Sequence, residues 1–124
     1  MSNYIDGFVF PIQRQYLEEY KGVAERVGEI WKEYGALAYS EYIGDDLFLD
    51  GTRSFADVVE LKENEVVIFG WVVFESREAR VRANEMVPND PRMQDMVGPL
   101  TDPSRLIFDA ARMVYGGFSP LVSK

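Results

Sequence analysis

The stretch VVIFGWVVF, residues 66–74, restricts the possible folds more than any other part of this sequence. It is almost continuously apolar, and its valine, isoleucine and aromatic side chains favour the extended conformation of a β-strand. A strand at the surface of a sheet shows a polar residue at every second position, and this stretch shows none. We therefore predict that residues 66–74 form a central strand whose two faces are both covered.

A long amphipathic helix is predicted for residues 13–34. Its apolar positions recur at intervals of three and four and form one helical face: Tyr16, Leu17, Tyr20, Val23, Ala24, Val27, Ile30, Trp31 and Tyr34. Gly35 is the expected C-terminal cap of this helix. The stretches 4–12 and 36–44, on either side of it, have the composition and alternation of strands. The sequence thus opens with the order strand, helix, strand.

The second half of the chain repeats the order strand, helix, strand. After an excursion over residues 45–65, with one short helical turn near 54–59, comes the central strand already described. A helix is predicted over 76–87 with Ser76 as its N-cap, and Asp90 is the N-cap of a second helical start. The stretch 112–122 is the last strand. The order βαββαβ predicts a single α+β domain of the ferredoxin-like class, with a four-stranded antiparallel sheet whose first and last strands are neighbours.

The charge balance limits the classes of partner. The chain has 13 basic and 21 acidic residues, a net charge of −8, so it lacks the excess of lysine and arginine that binds nucleic acid or anionic membranes. No stretch of about 18 apolar residues occurs that would span a bilayer. The first residues, MSNYIDGFVFPI, do not have the basic and long apolar regions of a signal peptide. We expect a cytoplasmic protein that contacts neither nucleic acid nor membrane.

Two residue types are absent, and their absence restricts the chemistry. The chain contains no cysteine and no histidine, which excludes disulfides, thiolate nucleophiles, histidine bases and histidine ligands of haem or transition metals. The pair Asp45–Asp46 follows Gly44, but two adjacent carboxylates without a third ligand at a defined spacing are typical of a solvated turn. We predict no metal site and no cofactor.

Two adjacent glycines, Gly116 and Gly117, lie in the predicted last strand, where glycine is normally unfavourable. Because this strand is expected beside the first, they are predicted to approach Gly7. We expect a bulge or a contact with a second subunit at this place. The alternative is a ligand cavity that has the glycines as its floor and Tyr115, Phe118 and Trp71 as its walls.

Three charged residues lie within otherwise apolar or aromatic strands: Asp6, Glu41 and Arg112. A charge at such a position is costly unless it is paired or solvated. We expect an ion pair of Arg112 with Asp6 or Glu41. The alternative is a polar cluster that orients the carbonyl or hydroxyl group of a ligand, with one carboxylate acting as a base.

The aromatic residues allow two interpretations. Trp31, on the apolar face of the long helix, and Trp71, in the central strand, are expected to be core residues. Tyr4, Tyr39 and Tyr115 are expected to pack with their hydroxyl groups at the surface or at a subunit contact. The alternative for these tyrosines is donation of a hydrogen bond to a bound oxygen atom.

The segments YIDGFVFPI, EVVIFGW and RMVYGGF, with NDPRM between the last two, resemble the YbaA-like family. This bacterial family of unknown function belongs to the dimeric alpha–beta barrel superfamily. The resemblance implies both helices on one face of the sheet, and a homodimer in which two sheets form a barrel. The superfamily includes cofactor-free monooxygenases, haem-degrading monooxygenases, isomerases and ligand-binding domains, and the lack of histidine argues against the haem-degrading group.

The functional prediction is therefore a homodimer that binds a small hydrophobic or carbonyl-containing molecule between sheet and helices. The alternative is a cofactor-independent monooxygenase- or isomerase-like enzyme, with Asp6 or Glu41 as the base and a tyrosine or Arg112 stabilising negative charge on oxygen. A dimer without any ligand is the third possibility. The candidate ligand-binding residues are Tyr4, Tyr39, Trp71, Tyr115, Gly116, Gly117 and Phe118.

Overall fold

A computed structural model describes residues 3–124. Met1 and Ser2 lie outside the described residues; they belong to the predicted single domain and to the first stretch, for which no signal peptide is expected. The strands and helices follow in the predicted order, joined in places by short 3₁₀ turns. They are β1 (Tyr4–Gln13), α1 (Leu17–Glu33), β2 (Ala38–Ile43), α2 (Phe55–Val58), β3 (Glu65–Phe74), α3 (Arg77–Met86), α4 (Pro91–Val97) and β4 (Val114–Phe118).

The strands form one antiparallel sheet in the order β2-β3-β1-β4. Strand β1 lies between β3, where Tyr4 is opposite Phe74, and β4, where Ile5 is opposite Phe118. This is the ferredoxin-like arrangement, so the predicted fold class and the adjacency of the first and last strands are confirmed. Gly7 is opposite Gly116, and the predicted approach of the glycines is also found.

The core lies between the sheet and helix α1. Phe10 and Ile12 of β1 are almost completely buried there and pack with Val23 and Val27 of the helix. Burial of each such side chain contributes about 1.5–3 kcal/mol. The helix crosses β2 closely at Gly28, where an added Cβ atom would lie 2.8 Å from the ring of Tyr39. A side chain at this position would push the helix away from the sheet.

The prediction that residues 66–74 are covered on both faces is wrong for the single chain. One face of β3 packs under the helices, but on the opposite face Phe69 is 40 % exposed and Trp71 is only partly buried. The segment around α2 covers one end of this outer face, where Val59 packs on Val9 and Val67. The rest of the outer face is an open apolar surface.

The last strand is shorter than the predicted 112–122. Arg112 lies in a 3₁₀ turn, Ala110–Arg112, that is capped by the side chain of Asp109. Strand β4 ends at Phe118, two residues before Pro120, which has no N–H group for strand pairing. The predicted helix caps are found: the Ser76 and Asp90 side chains each accept a backbone N–H, and Gly35 has a φ of 113°.

Candidate functional site

A cleft of about 680 Å³ lies between the helix-covered face of the sheet and the helices. Most of its lining is apolar and includes Phe8, Phe10, Val27, Trp31 and Met93. The polar side chains in the lining are Asp6, Asn84 and Tyr115 on one side and Tyr20, Tyr39 and Glu41 on the other. Apolar walls with a few convergent polar groups are typical of sites for small molecules.

The strand register places the floor of the cleft in rows that cross the sheet. Residues that are opposite one another on neighbouring antiparallel strands point to the same face. Two rows, each written from β2 to β4, form the floor: Glu41–Gly70–Phe8–Tyr115 and Tyr39–Val72–Asp6–Gly117. Each row therefore begins at one edge of the sheet and ends at the other, with apolar residues or glycine in most positions between.

Gly70 makes the middle of this floor flat. A Cβ atom added there would lie 2.6 Å from the ring carbons of Phe8 and 2.8 Å from the Ser40 carbonyl oxygen. The ring of Phe8 therefore occupies the space that a side chain at residue 70 would fill. The result is an aromatic surface between the two groups of polar residues.

Asp6 is the centre of the first polar group. It is 3 % exposed, and its carboxylate accepts hydrogen bonds from Arg80 Nε at 2.9 Å and Asn84 Nδ2 at 3.4 Å. Arg80 also donates from Nη2 to the Tyr115 hydroxyl oxygen at 2.8 Å. The predicted pairing of Asp6 with Arg112 is wrong, because helix α3 supplies Arg80 directly above Asp6. We call Asp6, Arg80, Asn84 and Tyr115 the Asp6 cluster.

Gly117 provides the space for the guanidinium group of this cluster. The Arg80 Cζ atom lies 5.3 Å from the centre of the Tyr4 ring and 6.0 Å from that of Tyr115. A Cβ atom added at Gly117 would overlap the Tyr4 hydroxyl and lie 2.8 Å from Arg80 Nη2. Gly116 faces the other side of the sheet, where the Phe118 ring lies against it. The two adjacent glycines thus make room for side chains on opposite faces.

The hydroxyl group of Tyr115 remains protonated in this surrounding. Burial raises the pKa of Tyr115, and hydrogen bonding to Asp6 raises it further, which outweighs the lowering effect of Arg80. Burial lowers the pKa of Arg80, but its bonds to Tyr115 and Asp6 outweigh this and keep the guanidinium charged. Tyr115 is therefore an acceptor for Arg80 that keeps its own O–H as a donor.

Glu41 is the centre of the second polar group. Its two carboxylate oxygens accept hydrogen bonds from the hydroxyls of Tyr20 and Tyr39, the latter at 2.5 Å. Burial and the Glu41 charge raise the pKa of both tyrosines far above the ordinary range, so both stay donors. Among the described residues, no lysine or arginine forms a salt bridge with Glu41. We call these three residues the Glu41 cluster.

The Glu41 cluster is also reached from outside the cleft. A second groove of about 740 Å³ runs between α1 and the edge strand β2, and both Glu41 and Tyr39 line it as well as the cleft. Glu41 therefore stands in the wall between the two spaces.

Arg112 lies away from the cleft. It donates to Glu65 from Nη1 at 2.6 Å and from Nη2 at 2.9 Å, and Nη2 also donates to the backbone carbonyls of Val59 and Glu60. The predicted pairing with Glu41 is thus wrong as well, because Arg112 precedes β4 and reaches the start of β3. The Arg112 hydrogen bond holds the pKa of Glu65 below its usual value. This pair joins the C-terminal segment to the α2–β3 connection.

The structure divides the predicted ligand-binding residues between the two faces of the sheet. Tyr39 and Tyr115 line the cleft, and Tyr4 and Gly117 support Arg80 beside it. The predicted cavity walled by Trp71 and Phe118 is wrong, because alternation along β3 and β4 directs both side chains, with Gly116, to the outer face.

Sequence reasoning did not select Arg80, Asn84 or Tyr20 as site residues. Arg80 and Asn84 are four residues apart on α3 and therefore share one helical face. That spacing was the available signal, but a charged residue on a predicted helix normally faces solvent. Tyr20 was assigned to the apolar face of the long helix, and only the structure shows its hydroxyl at Glu41.

The described residues 3–124 contain no group of three or more acidic residues placed to hold a metal ion. Asp45 and Asp46 are exposed in the connection after β2. In the same part of the chain, no helix has the length and apolar character needed to cross a membrane.

Comparisons with solved structures agree with this fold. The structure of SnoaB, a cofactor-independent oxygenase from Streptomyces nogalater, has a TM-score of 0.56 at 15 % identity, and the match covers 98 % of this chain and 94 % of that chain. A NIPSNAP family protein with unknown function from Agrobacterium tumefaciens has a TM-score of 0.55 at 18 % identity, covering 95 % and 87 %. At these identities the likeness shows the fold alone.

Comparisons of sequence give the family. The uncharacterized protein YbaA of Escherichia coli (strain K12) is 32 % identical over 121 residues, 98 % of either chain. The same identity and coverage are found for the protein of that name in Shigella flexneri. Residues 3–109 match the family described as Protein of unknown function (DUF1428). The chain therefore belongs to the DUF1428 family, and its likeness to YbaA confirms the resemblance to the YbaA-like family seen in the sequence.

Proposed function

We propose that the protein binds a small, largely hydrophobic molecule with a carbonyl group in the cleft between sheet and helices. The observation that carries this proposal is the cleft itself, about 680 Å³ of mainly apolar lining with polar side chains grouped at two places. A volume of this size suits an organic molecule of a few rings. Trp31 lies in the lining, whereas Trp71 lies on the outer face.

The two tryptophans give a direct test. In a ¹⁵N-labelled protein, 2-acetylnaphthalene is titrated while the two indole N–H signals are followed, with Trp71→Phe used for assignment. Binding in the cleft shifts the Trp31 signal and leaves that of Trp71 in place. A shift of Trp71 alone, or of neither signal, contradicts the proposal.

A variant that fills the cleft provides the matched control. Ala24 is on the cleft side of α1, and Arg26 is exposed on the same helix. Ala24→Leu should weaken binding of 2-acetylnaphthalene at least tenfold, since it occupies part of the space. Arg26→Leu, a change of similar character outside the cleft, should leave the affinity unchanged.

We propose also that the protein acts as a homodimer, and the outer face of the sheet supports this. Tyr42 stacks on Trp71 with ring centres 5.1 Å apart, and Phe69 packs edge-on to Trp71 at 5.7 Å. Phe69 is 40 % exposed and Phe118 57 % exposed. An exposed aromatic patch of this kind is typical of an interaction surface. A second copy that brings the same face would cover it.

An enzymatic function is the second candidate, and one observation favours it. The Glu41 carboxylate lines the cleft without a basic partner among the described residues, so it is available as a base. In an isomerase-like reaction it would take a proton from an acidic C–H of the substrate and return it to another carbon. In an oxygenase-like reaction dioxygen would be the co-reactant and oxidant: the resulting carbanion would add to it, and Glu41 would return its proton to the peroxide, which gives a hydroperoxide.

Deuterium exchange tests this second candidate. If Glu41 abstracts protons, the methyl protons of 2-acetylnaphthalene exchange in D₂O in the presence of the protein, and Glu41→Gln abolishes the exchange. Glu25→Gln, on the exposed side of α1, is the matched control. If the methyl protons exchange no faster with the protein than in buffer, this cleft does not abstract protons from the ketone.

A further inference from the structure

The geometry points to a two-ended ligand: an uncharged, elongated hydrophobic molecule whose carbonyl oxygen binds Tyr115 and Asn84, and whose O–H or N–H group at the opposite end binds Glu41. This inference rests on the proposed binding function and specifies the ligand. It follows from three features: the donors at one end of the cleft, the acceptor at the other end, and the apolar floor between them.

The Asp6 cluster presents hydrogen-bond donors to the cleft. Tyr115 accepts from Arg80 at 2.8 Å and has Asp6 within reach of its own hydroxyl hydrogen, and this rotatable hydrogen is the donor that a ligand oxygen would take over from Asp6. Asn84 Nδ2 donates to Asp6 at 3.4 Å and to the Tyr115 hydroxyl oxygen at 3.5 Å. Both are long hydrogen bonds, and a ligand oxygen that lies against Asn84 and Tyr115 would replace the one between these two residues. Both side chains line the cleft, and Arg80 does not. Arg80 is therefore a positioning residue, and the ligand meets a phenol and an amide.

The Glu41 cluster presents an acceptor. Each Glu41 oxygen receives one tyrosine hydroxyl, which leaves further lone pairs free for a donor in the cleft. The tyrosines hold the carboxylate in one orientation, since Tyr20 comes from α1 and Tyr39 from β2. An O–H or N–H group on the ligand would complete the hydrogen bonding of this carboxylate.

The two ends are too far apart to act on one group. Glu41 and Tyr115 lie in the same row of the floor, three strands apart, which places their backbones about 14 Å from each other. Gly70 and the flat ring of Phe8 are between them. A ligand that engages both ends must therefore be elongated, with an apolar middle that stacks on Phe8.

The charges favour a ligand without net charge. The Arg80 guanidinium is already neutralised by Asp6, with Nε 2.9 Å from Oδ1. The described lining of the cleft contains two carboxylates and no lysine or arginine, and the whole chain has a net charge of −8. A carboxylate ligand would lose its hydration and face these negative groups. A ketone or aldehyde oxygen accepts the same hydrogen bonds without that cost.

Four uncharged naphthalenes test this inference, with the charged 2-naphthoate as a fifth compound. The four are the unsubstituted compound, 2-naphthol, 2-acetylnaphthalene, and 2-acetyl-6-hydroxynaphthalene, which carries both groups. Their dissociation constants are measured by the shift of the Trp31 indole signal. We expect each polar group to tighten binding about three- to tenfold, as one hydrogen bond does, with the two contributions multiplying in the fourth compound. The charged 2-naphthoate should bind more weakly than 2-acetylnaphthalene.

Two variants assign each group to its end of the cleft. Tyr115→Phe should remove the advantage of the acetyl group and keep that of the hydroxyl, and Glu41→Gln should do the reverse. Tyr42→Phe on the outer face and Glu25→Gln on the exposed side of α1 are matched controls without effect. The backbone ¹⁵N spectrum of each variant reports whether it is folded.

The outcomes separate the inference from the proposed function. If no naphthalene shifts Trp31, binding in the cleft itself is wrong. If naphthalene binds but the substituents change nothing, or either variant affects both substituents equally, the two-ended ligand is wrong while the binding function stands. Tighter binding of 2-naphthoate than of the ketone overturns the assignment of an uncharged carbonyl. If Glu41 exchanges the acetyl methyl protons, the acetyl group lies at Glu41 and not at Tyr115. This result would also overturn the inferred orientation of the ligand.

Discussion

Arg80 of α3 is paired with Asp6 of β1, with Nε 2.9 Å from Oδ1 and side-chain exposures of 16 % and 4 %. This contact joins two elements that are 74 residues apart in sequence. It couples the position of α3, and with it Asn84, to the floor of the cleft. The same guanidinium supports Tyr115, so a single ion pair connects stability of the fold with geometry of the candidate site.

Loss of Arg80 should destabilise the protein strongly. Arg80→Met leaves the Asp6 carboxylate buried without its cation, and we expect a loss of about 3 kcal/mol in the free energy of unfolding. The double variant Asp6→Leu with Arg80→Met should regain most of this loss, because no buried charge remains. Urea unfolding measures both. Arg105→Met, which breaks an exposed pair with Glu19, is the control and should cost less than about 1 kcal/mol.

Gly117→Ala should disturb the same contact from the sheet side. The added methyl group overlaps the Tyr4 hydroxyl and approaches Arg80 Nη2, and we expect a loss of about 1–2 kcal/mol. Adding Tyr4→Phe removes the overlapping hydroxyl and should restore part of the stability. Gly116→Ala meets only the Phe118 ring, at 3.4 Å, and should change stability by less than about 0.5 kcal/mol. Equal effects at the two glycines would contradict the role assigned to Gly117.

Much of this fold could be predicted because the local patterns are strong. The alternation in strands and the helical spacing over 13–34 predicted the element types, and the fold class followed from the element order. Asp6 and Glu41 were correctly selected as charged residues within strands. Their partners could not be predicted, since a hydrogen bond between residues far apart in sequence depends on strand register and helix rotation.

Arg112 shows where such reasoning fails. It was predicted to lie in the last strand, but it belongs to the 3₁₀ turn Ala110–Arg112, and β4 begins only at Val114, two residues later. Asp109 caps that turn, and the cap is visible in the sequence only once the turn is known. The buried partner, Glu65, was placed at the end of an excursion, where a glutamate normally faces solvent.

The Glu65–Arg112 pair should make stability depend on pH in acid. The hydrogen bond from Arg112 holds the pKa of Glu65 below the ordinary 4.5. A carboxyl group with a lowered pKa in the folded state stabilises the protein above its unfolded pKa, and this contribution disappears as pH falls through the folded pKa. We therefore expect Glu65→Gln to be less stable than the natural protein at pH 7, with the difference shrinking below pH about 4.5. Urea midpoints measured between pH 7 and 3 test this, and a constant difference would contradict it.

The exposed aromatic face should control the oligomeric state. Phe69 and Trp71 project from the side of the sheet that the helices leave open, and Phe69 is 40 % exposed. In the proposed dimer this side chain is buried against a second copy, where a carboxylate without a partner is costly. Phe69→Glu should therefore convert a dimer to a monomer in sedimentation velocity, while the backbone ¹⁵N spectrum shows a folded chain. Val81→Glu introduces the same charge at a 36 % exposed position of α3 and should leave the dimer intact. If the natural protein sediments as a monomer at high concentration, the proposed dimer is wrong. If Phe69→Glu and Val81→Glu both dissociate the dimer, the added charge is the cause and not its position on this face.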